Sequence, residues 1–394
     1  MNDVLRWYNN IKRSSASTAH LYLRRLKKFC SDAGVSPEKL LELDDVERRN
    51  LILDYLSDKE GSYAASYYYA LKSWLEFFGV EVKVKLKGLN RRRKSEEKVP
   101  TPDELSEILT VADLRAKVAI SLIAFSGVRL QVLGNYDGTG GLTLGDIPEL
   151  RLGVAMDDGI YVKAERYEDK NVNMIGRCRH GNGVETRVGH KTGLGRASIE
   201  LVDMPATIVV RENLSKAGHR YFTFLYSESC KYLLSWLRIR MAKGELLTLD
   251  SPLIPSRGGG FLKTKSISEL IRKTIRAAGY NFRPYTLRHY FDTCMLMAEA
   301  AGIIPRDYRV FWMGHKGDIE LQYTLNNHRL PKKLVEDMKI RYEKAASVFL
   351  DITRKKQTEP RQKVVNLEEL EKYLKDGWEF VTSLPNGKVI VKCQ

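Results

Sequence analysis

The spacing of apolar positions predicts that the chain begins with helices. Two runs of apolar residues recur at the three- and four-residue spacing of one helix face. Their members are Ala19, Tyr22, Leu23, Leu26 and Phe29 in the first run and Ala64, Tyr68, Leu71, Leu75 and Phe78 in the second. Gly34 and Gly79 stand where each run ends, as glycines often do after a helix. Ser36 followed by Pro37 predicts the start of a further helix, with a capping serine and proline at the first helical position. We therefore predict a small helical domain over residues 1–82.

The periodicity changes twice in the larger part of the chain that follows. Thr101, Pro102 and Glu104 predict a capped helix start, and a strongly apolar helix follows with the sequence AKVAISLIAF. Strand-like runs follow, with GIYVKAE before a polar, glycine-rich segment at residues 172–199 and ASIEL, ATIVV and YFTFL at its end and beyond. We expect this segment to be a long loop or an extended hairpin. Helical spacing returns from Ser227 to about Leu350. The fold class predicted is mainly α with a small antiparallel sheet (α+β), with a second domain over residues 99–350.

The last residues predict a separate small unit over residues 360–394. Asn366 and Glu369 are suited to cap a short helix that ends at Gly377. The runs WEFVTSL and KVIVK then flank Pro385–Gly387, a strong signal for a β-hairpin. We therefore expect an α-β-β arrangement in this unit.

The charge of the chain indicates a protein that binds a phosphate-rich partner. The formal net charge is +16, and the pI is about 9.4. Residues 83–98 alone hold eight lysines or arginines against two glutamates, with little that could enter a core. Lys and Arg side chains that neutralise phosphates release bound counterions, which favours nucleic acid as the partner. We interpret residues 83–98 as a linker, either a solvated hinge or a strap along a DNA backbone.

Cysteine usage and hydropathy exclude several classes of protein. The five cysteines form no C-x-x-C pair, which argues against a disulfide framework and a zinc site; they are Cys30, Cys178, Cys230, Cys294 and Cys393. No apolar run approaches the ~20 residues of a membrane span, and the N-terminus lacks the apolar core of a signal peptide. We expect a cytoplasmic protein without membrane contact.

Four separated segments carry the residues with candidate chemistry. Each segment alone is weak evidence, because an arginine after an apolar helix or a histidine among aromatic residues is usually structural. All four in this order are much less common by chance. The segments are SGVRL with Arg129, LSKAGH with Lys216, PYTLRHYF with Tyr285 and Arg288, and MGHKG with His315, followed eight residues later by Tyr323.

This ordered set resembles the catalytic domain of the tyrosine recombinases, also called the phage-integrase family. SGVRLQVL is similar to the first arginine box of that family, and YTLRHYFDT to the second, normally written H-x-L-R-H-x-F-A-T. MGHKGDIELQY is similar to the closing L-G-H…Y box, and a lysine in a strand turn between the two arginines also fits. The resemblance covers roughly residues 99 to 345 and, more loosely, the helical N-terminal domain, which it implies is a core-binding (SAM-like) DNA-binding domain. The amino-acid sequences of these boxes and of LSKAGH are most similar to those of integrases of archaeal mobile elements.

The resemblance implies a site-specific recombinase that works through a 3′-phosphotyrosyl intermediate and a Holliday junction, with no cofactor and no metal. Tyr323 would attack phosphorus, while Arg129 and Arg288 clamp the non-bridging oxygens through bidentate bonds. Lys216 would protonate the departing 5′-oxygen, and His315 would donate to the phosphate or orient the tyrosine. The implied partners are double-stranded DNA attachment sites and further copies of the chain, as a homotetramer on DNA.

Two positions depart from the family pattern. Tyr285 stands where the family has histidine; a phenol can donate to a phosphate oxygen, but a pKa near ~10 makes it a poor base. We therefore expect Tyr285 to contact phosphate. Lys191, in HKTGLGR, is an alternative to Lys216 as the catalytic lysine, because the sequence K-T-G is also common in the family. We favour Lys216 because it lies between two strand patterns. His289, next to Arg288, suits a packing role and a buttressing role equally.

Alternatives remain for the nucleophile and for the function. Tyr290, Tyr308 and Tyr342 are other candidate nucleophiles, but Tyr323 has the family's position. The chemistry would also suit a type IB topoisomerase that relaxes DNA, and a non-enzymatic DNA-binding protein is the third possibility. The helix after Tyr323 carries Leu334, Met338 and Tyr342 on one face, which suits either docking on a neighbouring protomer or packing within the chain.

Overall fold

Helices dominate the part of the chain that the computed structural model describes. That part comprises residues 3–59, 61–81, 98–155, 161–163, 177–179, 185–187, 196–352, 361–375, 378–384 and 387–393. Small antiparallel sheets join the helices, so the expected α+β class with mainly α structure is confirmed. Residues 83–97 of the predicted linker lie outside the described residues, and the predicted domain boundaries stay predictions. No helix within the described ranges is long and apolar enough to cross a membrane.

The N-terminal helices have the termini that the sequence predicts. They are α1 (Asp3–Lys12), α2 (Ala16–Ala33), α3 (Pro37–Glu42), α4 (Asp45–Ser57) and α5 (Gly61–Phe77). Gly34 ends α2 in the left-handed conformation with a φ of 66°, and its amide donates to the carbonyl of Cys30. The Ser36 hydroxyl accepts a hydrogen bond from the amide of Lys39 at 3.0 Å, which caps α3. Local capping chemistry therefore fixes these boundaries.

Two tryptophans form the centre of the N-terminal core. Trp7 of α1 and Trp74 of α5 are fully buried, and their rings meet edge to face with centroids 5.4 Å apart. Leu26 and Phe29 of α2 belong to the same apolar cluster. An aromatic pair of this geometry contributes about 0.5–1.5 kcal/mol beyond the area that it buries.

A second and larger core surrounds α7. The helices of this part are α6 (Pro102–Val111), α7 (Leu114–Ser126), α8 (Leu130–Leu133), α9 (Ser227–Ala242), α10 (Thr264–Ala277), α11 (Thr286–Ala300), α12 (Arg306–Trp312), α13 (Asp318–Leu325) and α14 (Lys332–Phe349). The capping box predicted for α6 is present, since the Thr101 hydroxyl accepts from the amide of Glu104 and the Glu104 carboxylate accepts from the amide of Thr101. Ten residues of α7 are buried, and helices α9, α10 and α11 pack around it. A helix that is apolar on all sides becomes the central element of a core.

The strands of this part form three antiparallel pieces. They are β1 (Leu150–Ala155), β2 (Tyr161–Lys163), β3 (Arg177–Arg179), β4 (Glu185–Arg187), β5 (Arg196–Leu201), β6 (Ala206–Val210) and β7 (Tyr221–Leu225). The order β2-β1-β5 makes one sheet, and β3 pairs with β4 as the extended hairpin expected within residues 172–199. Strand β6 pairs with β7 from Ala206↔Leu225 to Val210↔Tyr221. Every residue of β7 is buried, so this strand lies within the core.

The C-terminal unit differs from the predicted α-β-β arrangement. It consists of β8 (Arg361–Asn366), α15 (Leu370–Lys375), β9 (Glu379–Ser383) and β10 (Lys388–Cys393), with the antiparallel order β8-β10-β9. The prediction was wrong in omitting β8, whose residues it placed in no helix or strand. It becomes a strand because Val365 pairs with Val389 and both enter a small separate core. The predicted hairpin joins β9 and β10, although Pro385 and Asn386 lie outside the described residues, as does Gly377.

Candidate active site

Arg288 joins two of the four predicted segments through its guanidinium. It lies in the first turn of α11 and is 2% exposed. Its Nη1 donates to the carbonyl of Gly127, which follows α7, and its Nη2 donates to the carbonyl of Met313 at 2.5 Å, at the end of α12. The first-arginine segment and the histidine segment therefore meet at Arg288.

Glycine is required at both turns that approach Arg288. Gly127 has a φ of 67°, and a Cβ atom there would collide with the ring of Phe291. Gly314 has a φ of 60°, and a Cβ atom there would come within 2.5 Å of the Tyr221 ring. The left-handed conformation and the close packing together explain these glycines.

Arg129 and Arg288 form a cationic site. Burial, and then the charge of Arg129, lower the pKa of Arg288 below its ordinary value. Asp292, whose charge also acts on Arg288, is held by Arg309 in an ion pair of 2.8 Å. The Nη1 of Arg129 is buried without a hydrogen-bond partner, and no carboxylate in the described part of the chain hydrogen-bonds either guanidinium. Two neighbouring guanidiniums without counterions provide a site for an anion.

Two histidines lie within the field of these arginines. Burial lowers the pKa of His315 below its ordinary value, and the charges of Arg288 and Arg129 lower it further. Burial also lowers the pKa of His219, with smaller effects of Lys316 and Arg129 against an opposing effect of Glu320. Both ring nitrogens of His219 are buried without a partner among the described residues. The sequence analysis does not include His219 among the site residues, although its position three residues after Lys216 could have indicated that it lies in the site.

The turn that carries Lys216 has the predicted structure. The amide of Gly218 donates to the carbonyl of Ser215 at 3.2 Å, which places Lys216 at an exposed tip of the connection between β6 and β7. The predicted position in a strand turn is confirmed, and its role as proton donor stays a prediction. Lys191 lies outside the described residues.

Tyr323 lies in an aromatic pocket. It belongs to α13 and is 5% exposed, with its ring edge-on to Phe222, Phe311 and His328 at centroid distances of 5.8, 5.6 and 5.4 Å. Burial raises the pKa of Tyr323, and the charge of the nearby Arg220 guanidinium opposes that rise. Within the described residues, the partners of Tyr323 do not include Arg129 or Arg288.

The rival tyrosines occupy structural positions. The Tyr342 hydroxyl is fully buried and donates to the carbonyl of Phe125. The Tyr308 hydroxyl donates to the Asp337 carboxylate at 2.6 Å, and Tyr290 is buried in the main core. Met338 is buried in that core together with Tyr342, so this face of α14 packs within the chain.

Tyr285 lies at the rim of the site. It is 48% exposed, and its ring meets His289 edge to face at 4.8 Å. It lies three residues before Arg288 and close enough to affect the pKa of that arginine, which places it beside the cationic site. The predicted contact between Tyr285 and phosphate stays a prediction.

Replacing Gly314 tests the packing of this site. Gly314→Ala should lower the free energy of unfolding by about 2–4 kcal/mol, because alanine is strained at this φ and its Cβ meets the Tyr221 ring. In a Tyr221→Leu background, the cost of the same change should fall to the backbone part of about 1–2 kcal/mol. Denaturant unfolding of the four proteins measures both costs, and equal costs would contradict the contact.

Proton titration of the histidines tests the field of the arginines. His315 and His219 should titrate below the ordinary value of about 6.5 in the folded chain, and Arg129→Gln should raise both pKa values. Because the unfolded chain then binds protons first, these histidines should lower the stability as the pH falls through about 6.5 towards their folded pKa values. Imidazole NMR signals report the titrations, and a value at or above 6.5 for either residue would be inconsistent with the site described.

Comparisons with known proteins give distant likenesses. No model of a known protein family matches the sequence, and no curated protein matches it. The XerH site-specific recombinase bound to palindromic difH substrate, a post-cleavage complex, is 17% identical over 86% of this chain and 80% of that one, with a TM-score of 0.41. A lambda integrase dimer bound to a COC′ core site is 15% identical over 84% and 98%, with a TM-score of 0.40. The integrase from mycobacterium phage Brujita is 18% identical over 90% and 94%, with a TM-score of 0.36. These solved structures are recombinases or integrases that the chain resembles at low identity.

Proposed function

We propose that the protein is a site-specific DNA recombinase of the tyrosine type, like the integrases of archaeal mobile elements that its sequence boxes resemble. The observation that carries the proposal is the pairing of Arg129 and Arg288, which come from distant parts of the chain and meet without a carboxylate partner. Such a pair favours a ligand with several anionic oxygens, and a phosphodiester supplies them.

The arginine pair suits the transition state of phosphoryl transfer. Attack on a phosphodiester concentrates negative charge on the non-bridging oxygens, and buried guanidiniums stabilise that charge more strongly than groups in water do. Arg288 is already held by two backbone carbonyls, so it needs little reorganisation when the phosphate arrives. The neutral His315 beside them would donate one further hydrogen bond.

Tyr323 supplies the nucleophile in this proposal. Its phenolic oxygen forms a bond to phosphorus, the bond from phosphorus to the 5′-oxygen breaks, and Lys216 gives that oxygen a proton. The resulting 3′-phosphotyrosyl ester retains the energy of the phosphodiester, so a second strand end can rejoin without ATP. A Holliday junction forms when strands from two sites exchange in this way.

Basic surface in the N-terminal helices supports a duplex partner. A cavity of about 770 Å³ lies between α2 and Tyr136 and is lined by Arg24, Lys27 and Lys28 among others. Together with the net charge of +16, these side chains fit a DNA backbone. We include attachment sites in double-stranded DNA and a homotetramer in the proposal; the exposed Leu321 and Leu325 of α13 offer apolar surface for a neighbouring protomer.

A nicked suicide duplex tests the nucleophile. Wild-type protein should form a covalent protein–DNA adduct that survives denaturation, whereas Tyr323→Phe should form none, because phenylalanine has no oxygen to attack phosphorus. Tyr290→Phe is the matched control, since it removes a buried hydroxyl close to Arg288 in sequence, and it should still form the adduct. Adduct formation by Tyr323→Phe would rule out this nucleophile. Exchange of flanking DNA between two plasmids with cognate sites then separates recombination from simple relaxation of supercoils.

Two lysine variants identify the proton donor. Lys216→Ala should block cleavage of the normal substrate by about 100-fold or more, because general acid catalysis contributes 10²–10⁴-fold. It should leave cleavage intact when a sulfur atom replaces the bridging 5′-oxygen, because a thiolate leaves without a proton. Lys191→Ala, tested in parallel, should cleave both substrates normally. The reverse pattern would assign the role to Lys191.

A further inference from the structure

Side chains in the segment that leads into β7 alternate between two parts of the site, the arginine pair and the tyrosine pocket. The Tyr221 ring lies against Gly314 and close to Arg288, and the His219 ring lies 6.0 Å from it on the same side. The residues between and after them, Arg220 and Phe222, contact Tyr323 instead. Successive side chains of an extended strand point to opposite faces. One segment therefore serves the arginine site with one face and the tyrosine pocket with the other.

Arg220 is the charged group on the tyrosine side of this segment. It is half-buried, and its guanidinium lies close enough to Tyr323 to oppose the rise that burial causes in the pKa of that phenol. Its Nε is buried without a partner. Within the described ranges no ion pair joins Arg220 to a carboxylate, so its charge is not neutralised by an acidic neighbour.

The other titratable groups around Tyr323 are engaged elsewhere. The His328 ring packs edge-on against Tyr323, but its Nε2 lies 3.0 Å from the Glu212 carboxylate. Glu320, one turn before Tyr323 on α13, accepts a hydrogen bond from the Thr324 hydroxyl at 2.9 Å. Tyr285 lies at the rim, against His289. None of these contacts places a base on the Tyr323 hydroxyl.

We propose that Arg220 is a further catalytic residue, which hydrogen-bonds the phenolic oxygen of Tyr323 and stabilises its phenolate for attack on phosphorus. The inference rests on the proposed function and deepens it. The O–H bond of Tyr323 breaks and its proton passes to solvent water. The phenolate oxygen then forms the bond to phosphorus, and the 5′-oxygen leaves with a proton from Lys216. A guanidinium stays charged throughout, so it stabilises the anion without taking the proton.

This arrangement explains how the chain works with Tyr285 in place of the histidine found in the resembled family. Burial of Tyr323 disfavours the phenolate, because an anion loses hydration in the pocket. The half-buried guanidinium of Arg220 opposes that effect. Loss of a charge-assisted hydrogen bond typically lowers a rate by about 10- to 100-fold.

The direct test is the titration of the Tyr323 phenol in the full-length protein without DNA. Tyrosine labelled with ¹³C at Cζ gives an NMR signal that moves on ionisation, and Tyr323→Phe assigns it. Arg220→Gln should raise the pKa of Tyr323, whereas Arg220→Lys, which keeps the charge, should raise it less. Arg329→Gln is the matched control, since it removes an exposed positive charge six residues after Tyr323 and should leave the titration unchanged. An unchanged titration in Arg220→Gln would overturn the inference.

Adduct formation on the nicked duplex gives the second readout. Arg220→Gln should lower the rate by about 10- to 100-fold near neutral pH, and the pH at which the rate stops rising should be higher than in the wild type, because the pKa of Tyr323 is higher. A lowered rate that levels off at the same pH as in the wild type, or one restored by more DNA, would assign Arg220 to structure or DNA contact and overturn the inference. If wild-type protein forms no adduct with any duplex, the proposed function fails, and the phenol titration alone then decides whether Arg220 stabilises the phenolate.

Discussion

The site depends on one buried guanidinium and the two carbonyls that hold it. Arg288 reaches Gly127 at the end of α7 and Met313 at the end of α12, so three helices must be docked before its hydrogen bonds can form. A buried charge without such partners would be strongly destabilising. Because uncharged carbonyls hold the guanidinium, its positive charge remains available to an incoming anion. The same bonds therefore fix the fold around the site and preserve the charge that the proposed chemistry requires.

Strand β7 connects this cationic half to Tyr323, the proposed nucleophile. Its residues are buried on both faces, and the alternation that begins before it sends Tyr221 towards Arg288 and Phe222 towards Tyr323. The hairpin to β6 places the exposed turn with Lys216 at the other end of the same segment. A shift of one residue in the pairing of β6 and β7 would exchange these faces, so the register of this hairpin is part of the site.

The sequence was informative wherever the determining interactions are local. The caps at Ser36 and Thr101 and the stop at Gly34 were predictable, because each depends on neighbours a few residues away. Strand β8 was not, since only its pairing with distant β10 buries Val365. The proximity of Arg220 to Tyr323 could not be predicted for the same reason: the two residues lie 103 positions apart, and only tertiary packing brings them together. The six candidate site residues came from an ordered motif, and the structure adds His219, Arg220 and Tyr221 around them.

The central claim is that this chain forms a covalent bond to DNA through the hydroxyl of Tyr323. The most direct measurement is mass spectrometry of the covalent complex after digestion by protease and nuclease. The account predicts a nucleotide attached through its 3′-phosphate to the peptide that contains Tyr323. A nucleotide on a different residue, or one attached through its 5′-phosphate, would contradict it.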